Sequence, residues 1–293
     1  MMIEIRGVSF TYNAGSPLAR KVLDGADLSI GKGEFVGIIG RTGSGKSTLV
    51  QHMNGLLKPD SGTVMVDGVD IWSKGAKLQD VRKKVGLVFQ YPEHQLFDET
   101  VAGDVAFGPR NMGLDEHEVH ERVKDAMDIV NLDFEAIKDR SPFELSGGQK
   151  RRVAMAGVLA MKPEVVILDE PAAGMDPAGR DEILGEIDRM HDKGGFTVVL
   201  VSHSMEDVAK HAQRLIVMDA GKVVLEGSPR QVFSEEQRLL GMGLGVPQTV
   251  RMYNMLRNRG VLLPEMPLTV GQLAGMIMEI ARAGTKDEGV AGR

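Results

Sequence analysis

Three features of this 293-residue sequence predict an α/β fold. A short apolar run, Glu34-Phe35-Val36-Gly37-Ile38-Ile39, enters a glycine-rich loop and leaves it with apolar residues at helical spacing, a strand–loop–helix order. A long, more polar stretch from about 98 to 162 is patterned for helices and interrupts the strands, so it reads as an inserted helical subdomain. Apolar strands resume at Val165 and stop near Gly227, after which the chain changes character and forms an extension.

Taken in order, residues 3–12 alternate and include β-branched and aromatic types, the pattern of a strand. Residues 34–39 are apolar after Glu34, as in a strand buried on both faces. Leu49, Val50, Met53, Leu56 and Leu57 then recur at three and four, which predicts a helix. Lys58-Pro59-Asp60-Ser61-Gly62 is a turn, and 63–66 a strand. Within the insertion, Val119, Val123, Met127 and Val130 predict a helix over 116–130, and a second is expected over 151–161. Strands follow at 165–168, 197–201, 215–218 and 223–225. Between the first two, Asp176-Pro177 starts a helix, Asp as cap and Pro at the first helical position, with Ile183, Ile187 and Met190 as its apolar face. In the extension, 251–256 is expected to be helical, Thr269 opens another helix, and the end from Ala283 is expected to fray. Residues 228–293 carry no phosphate-binding pattern, and no internal repeat is found.

Composition narrows the function classes. A formal net charge of −6 gives no overall basic footprint for nucleic acid. With no cysteine, disulfides and thiolate metal sites are impossible. No apolar run approaches the roughly 18 residues that a membrane span needs. The first residues lack a secretory pattern, so the chain is expected in the cytosol or on a membrane through other subunits. Eighteen methionines point to adaptable packing rather than to a binding surface.

Three segments carry chemistry. Gly40-Arg41-Thr42-Gly43-Ser44-Gly45-Lys46-Ser47, followed by Thr48, fits the G-x-x-x-x-G-K-[ST] phosphate loop in full. Its glycines let successive N–H groups form an anion nest at a helix start; Lys46 adds a charge for the β- and γ-phosphates, and Ser47 a ligand for Mg²⁺. Asp169 and Glu170 end an apolar strand, where ligands bind in open α/β sheets. Asp169 suits Mg²⁺ through water, and Glu170 suits a hydrolytic water. Leu145-Ser146-Gly147-Gly148-Gln149 precedes a helix, and Ser146, Gly147, Gly148 and Gln149 read as a second anion cradle.

With these residues in place the sequence resembles the ATP-binding cassette ATPases over about 3–227. The resemblance implies a P-loop NTPase with a RecA-like mixed-sheet core, an N-terminal antiparallel β subdomain and a helical subdomain inserted at about 91–162. It implies that Tyr12 stacks on adenine, that Gln90 touches Mg²⁺, that Ala173-Gly174-Met175-Asp176 is a dimer contact and that His203 is a switch histidine. Glu170, His203 and Gln90 are then the catalytic set, ATP and Mg²⁺ the cofactors, and residues 146–149 act in trans on ATP held by another subunit.

A narrower resemblance lies in Phe89-Gln90-Tyr91-Pro92-Glu93-His94-Gln95-Leu96-Phe97-Asp98-Glu99-Thr100-Val101, with Gly245-Val246-Pro247-Gln248 and Leu262-Leu263-Pro264. It is similar to the second ATPase type of energy-coupling factor transporters, which import vitamins and metal ions. This implies a sister ATPase, a transmembrane coupling subunit, a separate substrate-capturing membrane subunit, no nucleic acid, and a peripheral place on the cytoplasmic face. Residues 228–293 are then an α-rich extension that supports the dimer. The ATPase of a conventional cassette importer stays open as the alternative. A GTPase is disfavoured because no Asn-Lys-x-Asp motif occurs.

Overall fold

The computed structural model describes residues 1–194 and 196–288. Its centre is a six-stranded sheet in the order β10-β9-β3-β8-β7-β6, and a second, four-stranded sheet has the order β2-β1-β4-β5. In chain order, β1 (Ile3–Tyr12) and β2 (Arg20–Ile30) pair antiparallel, followed by β3 (Phe35–Gly40), α1 (Lys46–Met53), β4 (Ser61–Val66) and β5 (Val69–Asp70). Next come α2 (Leu78–Lys84) and β6 (Val85–Val88), then the helices α3 (Val101–Asn111), α4 (Glu116–Ile129), α5 (Phe134–Ile137) and α6 (Gly147–Leu159). The sheet resumes with β7 (Val165–Asp169), α7 (Pro177–Gly194), β8 (Thr197–Val201), α8 (Met205–His211), β9 (Arg214–Asp219) and β10 (Lys222–Gly227). Four helices close the described residues: α9 (Pro229–Ser234), α10 (Glu236–Gly241), α11 (Gln248–Asn258) and α12 (Val270–Glu288).

β3 is parallel to β8 and β9, and β7 to β6 and β8; only β10 runs antiparallel, against β9. Every residue of β3, β6, β7 and β8 is buried, which explains their unbroken apolar runs. Alternate side chains feed two cores. Phe35, Ile39, Val166, Leu168, Val198 and Leu200 pack with the inserted helices. Val36, Ile38, Ile167 and Val199 pack with Leu49, Val50 and Met53 of α1 and with Ile3, Ile5 and Leu28 of the antiparallel sheet. Each such side chain contributes about 1.5–3 kcal/mol of burial, so the central strands are held from both faces.

The α/β class, the mixed sheet and the antiparallel first strands agree with the sequence reading, but several elements differ. β2 was not anticipated: its sequence is polar and broken, and irregular pairing with β1 disturbs its alternation. α1 stops at Met53, and Leu56 and Leu57 fall in the following turn. α6 begins at Gly147, not Arg151, because Ser146 and Gln149 close a capping box. α12 continues to Glu288, past the Ala283 where fraying was expected; 289–293 lie outside the described residues.

Candidate functional site

Parallel pairing brings the carboxyl ends of β3, β7 and β8 to one edge of the sheet, where the phosphate loop, the Asp169-Glu170 pair and His203 meet. Gly40 ends β3 so tightly that a Cβ would lie 2.4 Å from Met218 O and 2.5 Å from Ser44 Oγ. Gly43 (φ +80°) and Gly45 (φ +103°) turn the loop into α1 through left-handed backbone. Lys46 lies folded under this loop, 7% exposed, and donates to Gly40 O (2.8 Å) and Arg41 O (3.2 Å). Burial pulls its pKa below the usual lysine value, and the charges of Glu170 and Asp169 pull it back up.

Asp169 is buried at the end of β7. Burial raises its carboxyl pKa, while a hydrogen bond from Ser47 and the charge of Lys46 oppose the rise and Glu170 adds to it. Glu170 has φ +53°, unusual for a non-glycine residue, and its N–H donates to Val201 O at 2.9 Å. Gln90 Nε2 donates to Glu170 Oε2 at 2.9 Å, and His203 Nδ1 lies 3.3 Å from the same oxygen. Gln90, from the end of β6, and His203, from the end of β8, thus converge on one carboxylate. Gly40 to Gly43, Lys46, Ser47, Gln90, Glu170 and His203 line a cleft of about 890 Å³.

Tyr12 and Thr48 form a separate pair that does not line this cleft. Tyr12 Oη lies 3.3 Å from Thr48 Oγ1, and Phe10 stands edge-on to the Tyr12 ring at 4.9 Å. This holds a part-exposed aromatic beside the start of α1. The segment 146–149 is likewise absent from the cleft. Leu145 is buried and anchors it, while Ser146, Gly147 and Gly148 are exposed. Ser146 Oγ accepts from Gln149 N (3.3 Å), and Gln149 Oε1 accepts from Ser146 N (3.1 Å). Around Gly147 and Gly148 a Cβ would meet nothing within 4 Å.

Sequence reasoning missed two groups. Arg151 in α6 is buried, makes a two-pronged ion pair with Glu93 (3.1 and 3.2 Å) and donates to Ala173 O (2.6 Å). It ties the 3-10 turn Pro92–Gln95, the helix after Ser146 and the segment after Glu170 together. The second group is the loop 243–246 with Gln248 and Arg251, which forms a wall of the same cleft. The glycine–proline punctuation before α11 marked a loop there, and nothing local marked its destination.

Comparison with known proteins places this geometry. The family profile described as "ABC transporter" matches residues 23–173. The energy-coupling factor transporter ATP-binding protein EcfA2 of Clostridium tetani is 54% identical over 280 residues, 96% of this chain and 97% of that one. Its namesake from Caldanaerobacter subterraneus is 55% identical over 287 residues, 98% of this chain and 100% of that one. Among solved structures, cbiO1 from Clostridium perfringens, described as part of the ABC transporter complex cbiONQ, aligns at a TM-score of 0.72 and 37% identity, covering 87% of this chain and 98% of that one. A dimeric ATP-binding cassette in a post-hydrolysis state with ADP and Pi aligns at 0.70 and 30% identity, covering 78% and 99%. The chain therefore belongs to the ABC transporter family and, within it, to the energy-coupling factor ATP-binding proteins.

Proposed function

We propose that this ATPase powers uptake of a vitamin or a transition-metal ion through an energy-coupling factor transporter, working as one half of an ATPase dimer on the cytoplasmic face of the membrane. The observation that carries the reading is the split of the phosphate-binding parts: Lys46, Glu170, Gln90 and His203 share one cleft, and the cradle at 146–149 is exposed and does not line it. One chain then supplies the phosphate loop to its own ATP and the second cradle to the ATP of a sister ATPase.

In this reading the N–H groups of 43–47 and Lys46 hold the phosphates, and Tyr12 offers its ring to the adenine. Glu170 accepts the proton of the attacking water, and Gln90 and His203 hold that carboxylate in place while His203 reaches toward the γ-phosphate. Ser47, Asp169 and the Gln90 amide oxygen are hard oxygen donors of the kind Mg²⁺ takes with phosphates and water. Gln90 Nε2 is committed to Glu170, which leaves its Oε1 for a cation. Bound there, Mg²⁺ would neutralise charge on the β- and γ-phosphates.

The membrane side is read from the segment after Gln90. A groove of about 490 Å³ is lined by Gln95, Leu96, Phe97, Phe107 and Met161 among others, with Phe97 and Phe107 exposed and packed edge to face at 4.9 Å. It suits a cytoplasmic helix of the transmembrane coupling subunit, and the Arg151 clamp links it to the catalytic edge. No helix among the described residues is long and apolar enough to cross a membrane. The exposed apolar side chains of α11 and α12, Met252, Met255, Ile277 and Met278 among them, suit contact with the sister subunit.

Purification of the tagged chain from native membranes, followed by mass spectrometry, tests the assignment. The expected companions are a sister ATPase, one integral coupling subunit and small substrate-capturing membrane proteins. Recovery with a solute-binding-protein system would contradict it.

A further inference from the structure

The C-terminal extension, which carries no phosphate-binding sequence pattern, forms part of the phosphate cleft. Two contacts set its position there. Gln248 N–H donates to Glu206 Oε1 at 3.3 Å, three residues after His203. Gly243 (φ +72°) packs on the Arg41 side chain, so that a Cβ would lie 3.1 Å from Arg41 Cδ. Leu244, Val246 and Val250 are buried in the main core and hold the wall from behind.

This wall presents Arg251 from the first turn of α11. Its Nη2 lies back across Gly245, 3.4 Å from where a Cβ would stand, and the side chain lines the cleft with Lys46 and Glu170. The carboxylates facing the same space are already engaged: Glu170 by Gln90 and His203, Glu206 by the Gln248 N–H. Among the described residues no carboxylate lies within ion-pair distance of Arg251. A permanently charged, fork-shaped donor, exposed to solvent, thus lines this cleft without an ion pair of its own.

We propose that Arg251 is a nucleotide-binding residue that the extension supplies in cis, its guanidinium donating to the polyphosphate of the ATP held by Lys46. The proposal rests on the reading of the cleft as the ATP site. The extension then senses nucleotide directly, because the wall that carries Arg251 is tied to the segment of His203 through Glu206.

The test is calorimetric titration of the full-length chain, carrying Glu170→Gln to stop turnover, with Mg-ATP and Mg-ADP. Arg251→Gln should weaken ATP binding about tenfold, the scale of one charge-assisted hydrogen bond, and ADP binding less. Arg251→Lys should restore part of the loss, and the melting temperature without nucleotide should not move. ATP affinity within about twofold of the parent would overturn the proposal. So would an unchanged ATP affinity with weakened association to the sister ATPase, which would make Arg251 an interface residue. If the parent binds ATP and Lys46→Ala does not while Arg251→Gln does, only the Arg251 assignment falls; if the parent binds no ATP, both readings fall.

Discussion

The two glycine-rich segments of this chain look alike in sequence and are built in opposite ways. Within residues 40–47, Gly40 and the stretch 44–46 are closed in, while 41–43 and Ser47 stay exposed. Gly40 touches the backbone of β9, Gly45 lies against Leu23 and Val22, and Lys46 is buried under its own loop. Residues 146–149 are open. Ser146 and Gln149 satisfy each other, and nothing stands within reach of a Cβ on Gly147 or Gly148. Glycine stands in different surroundings in the two places: in the first it lets the backbone pack, and in the second the space around it is open. The first segment is part of the fold, and the second is a surface that the fold holds out.

The comparison can be strained from both sides. The largest effect is expected at Glu170, where the closed half concentrates its chemistry. Glu170→Gln should lower ATP turnover about 10²–10⁴-fold, the usual worth of a general base, with ATP binding kept. Steady-state phosphate release and nucleotide binding on the same preparation check this.

On the open half, Gly148→Asp should lower turnover about 10²–10³-fold by putting a carboxylate where the proposed function has phosphate dock. It should leave the melting temperature unchanged or slightly raised, since an acid in the first turn of α6 favours the helix. In the closed half the same kind of change acts on stability first. Gly40→Ala forces a Cβ to within 2.4 Å of Met218 O, and overpacking of this kind costs about 1–3 kcal/mol. Thermal melts of the two variants, side by side, would show whether closed and open describe the two segments correctly.

The smallest effect concerns Asp104, which accepts the N–H groups of Phe97 and Asp98 at 3.1 and 3.2 Å and so shapes the segment after Gln90. Burial raises its pKa above the ordinary 3.8, against those two hydrogen bonds. The folded state therefore binds this proton more readily than the unfolded chain. Stability from this group should fall as pH rises from 3.8 through the raised value, and return as pH drops. Asp104→Asn should remove that slope in melts taken across mildly acidic pH, without touching ATP binding.

What the sequence made legible follows the same division between local and distant. The phosphate loop, the Asp169-Glu170 pair and the cradle at Ser146 are contiguous, and each carries its chemistry in a few neighbouring residues. Buried parallel strands announced themselves by unbroken apolar runs. β2 did not, because its polar, bulged sequence depends on pairing with β1. The start of α6 was within reach, since Ser146 and Gln149 stand at capping-box spacing, but the two glycines between them disguised a helix. Arg151 and Arg251 were beyond reach for another reason. The partners of Arg151 stand 58 and 22 positions away, Arg251 shares a cleft with a loop about two hundred residues before it, and no pattern along the chain encodes such a meeting.

On the proposed function the chain holds only half of each ATP site it serves. The most direct measurement is sedimentation of the Glu170→Gln chain together with its sister ATPase, with and without Mg-ATP, against the same chain carrying Gly148→Asp. ATP-driven association is expected for the first, and for the second full ATP binding without that association. A Gly148→Asp chain that associates with ATP like its parent, or that loses ATP binding as a single subunit, would contradict it.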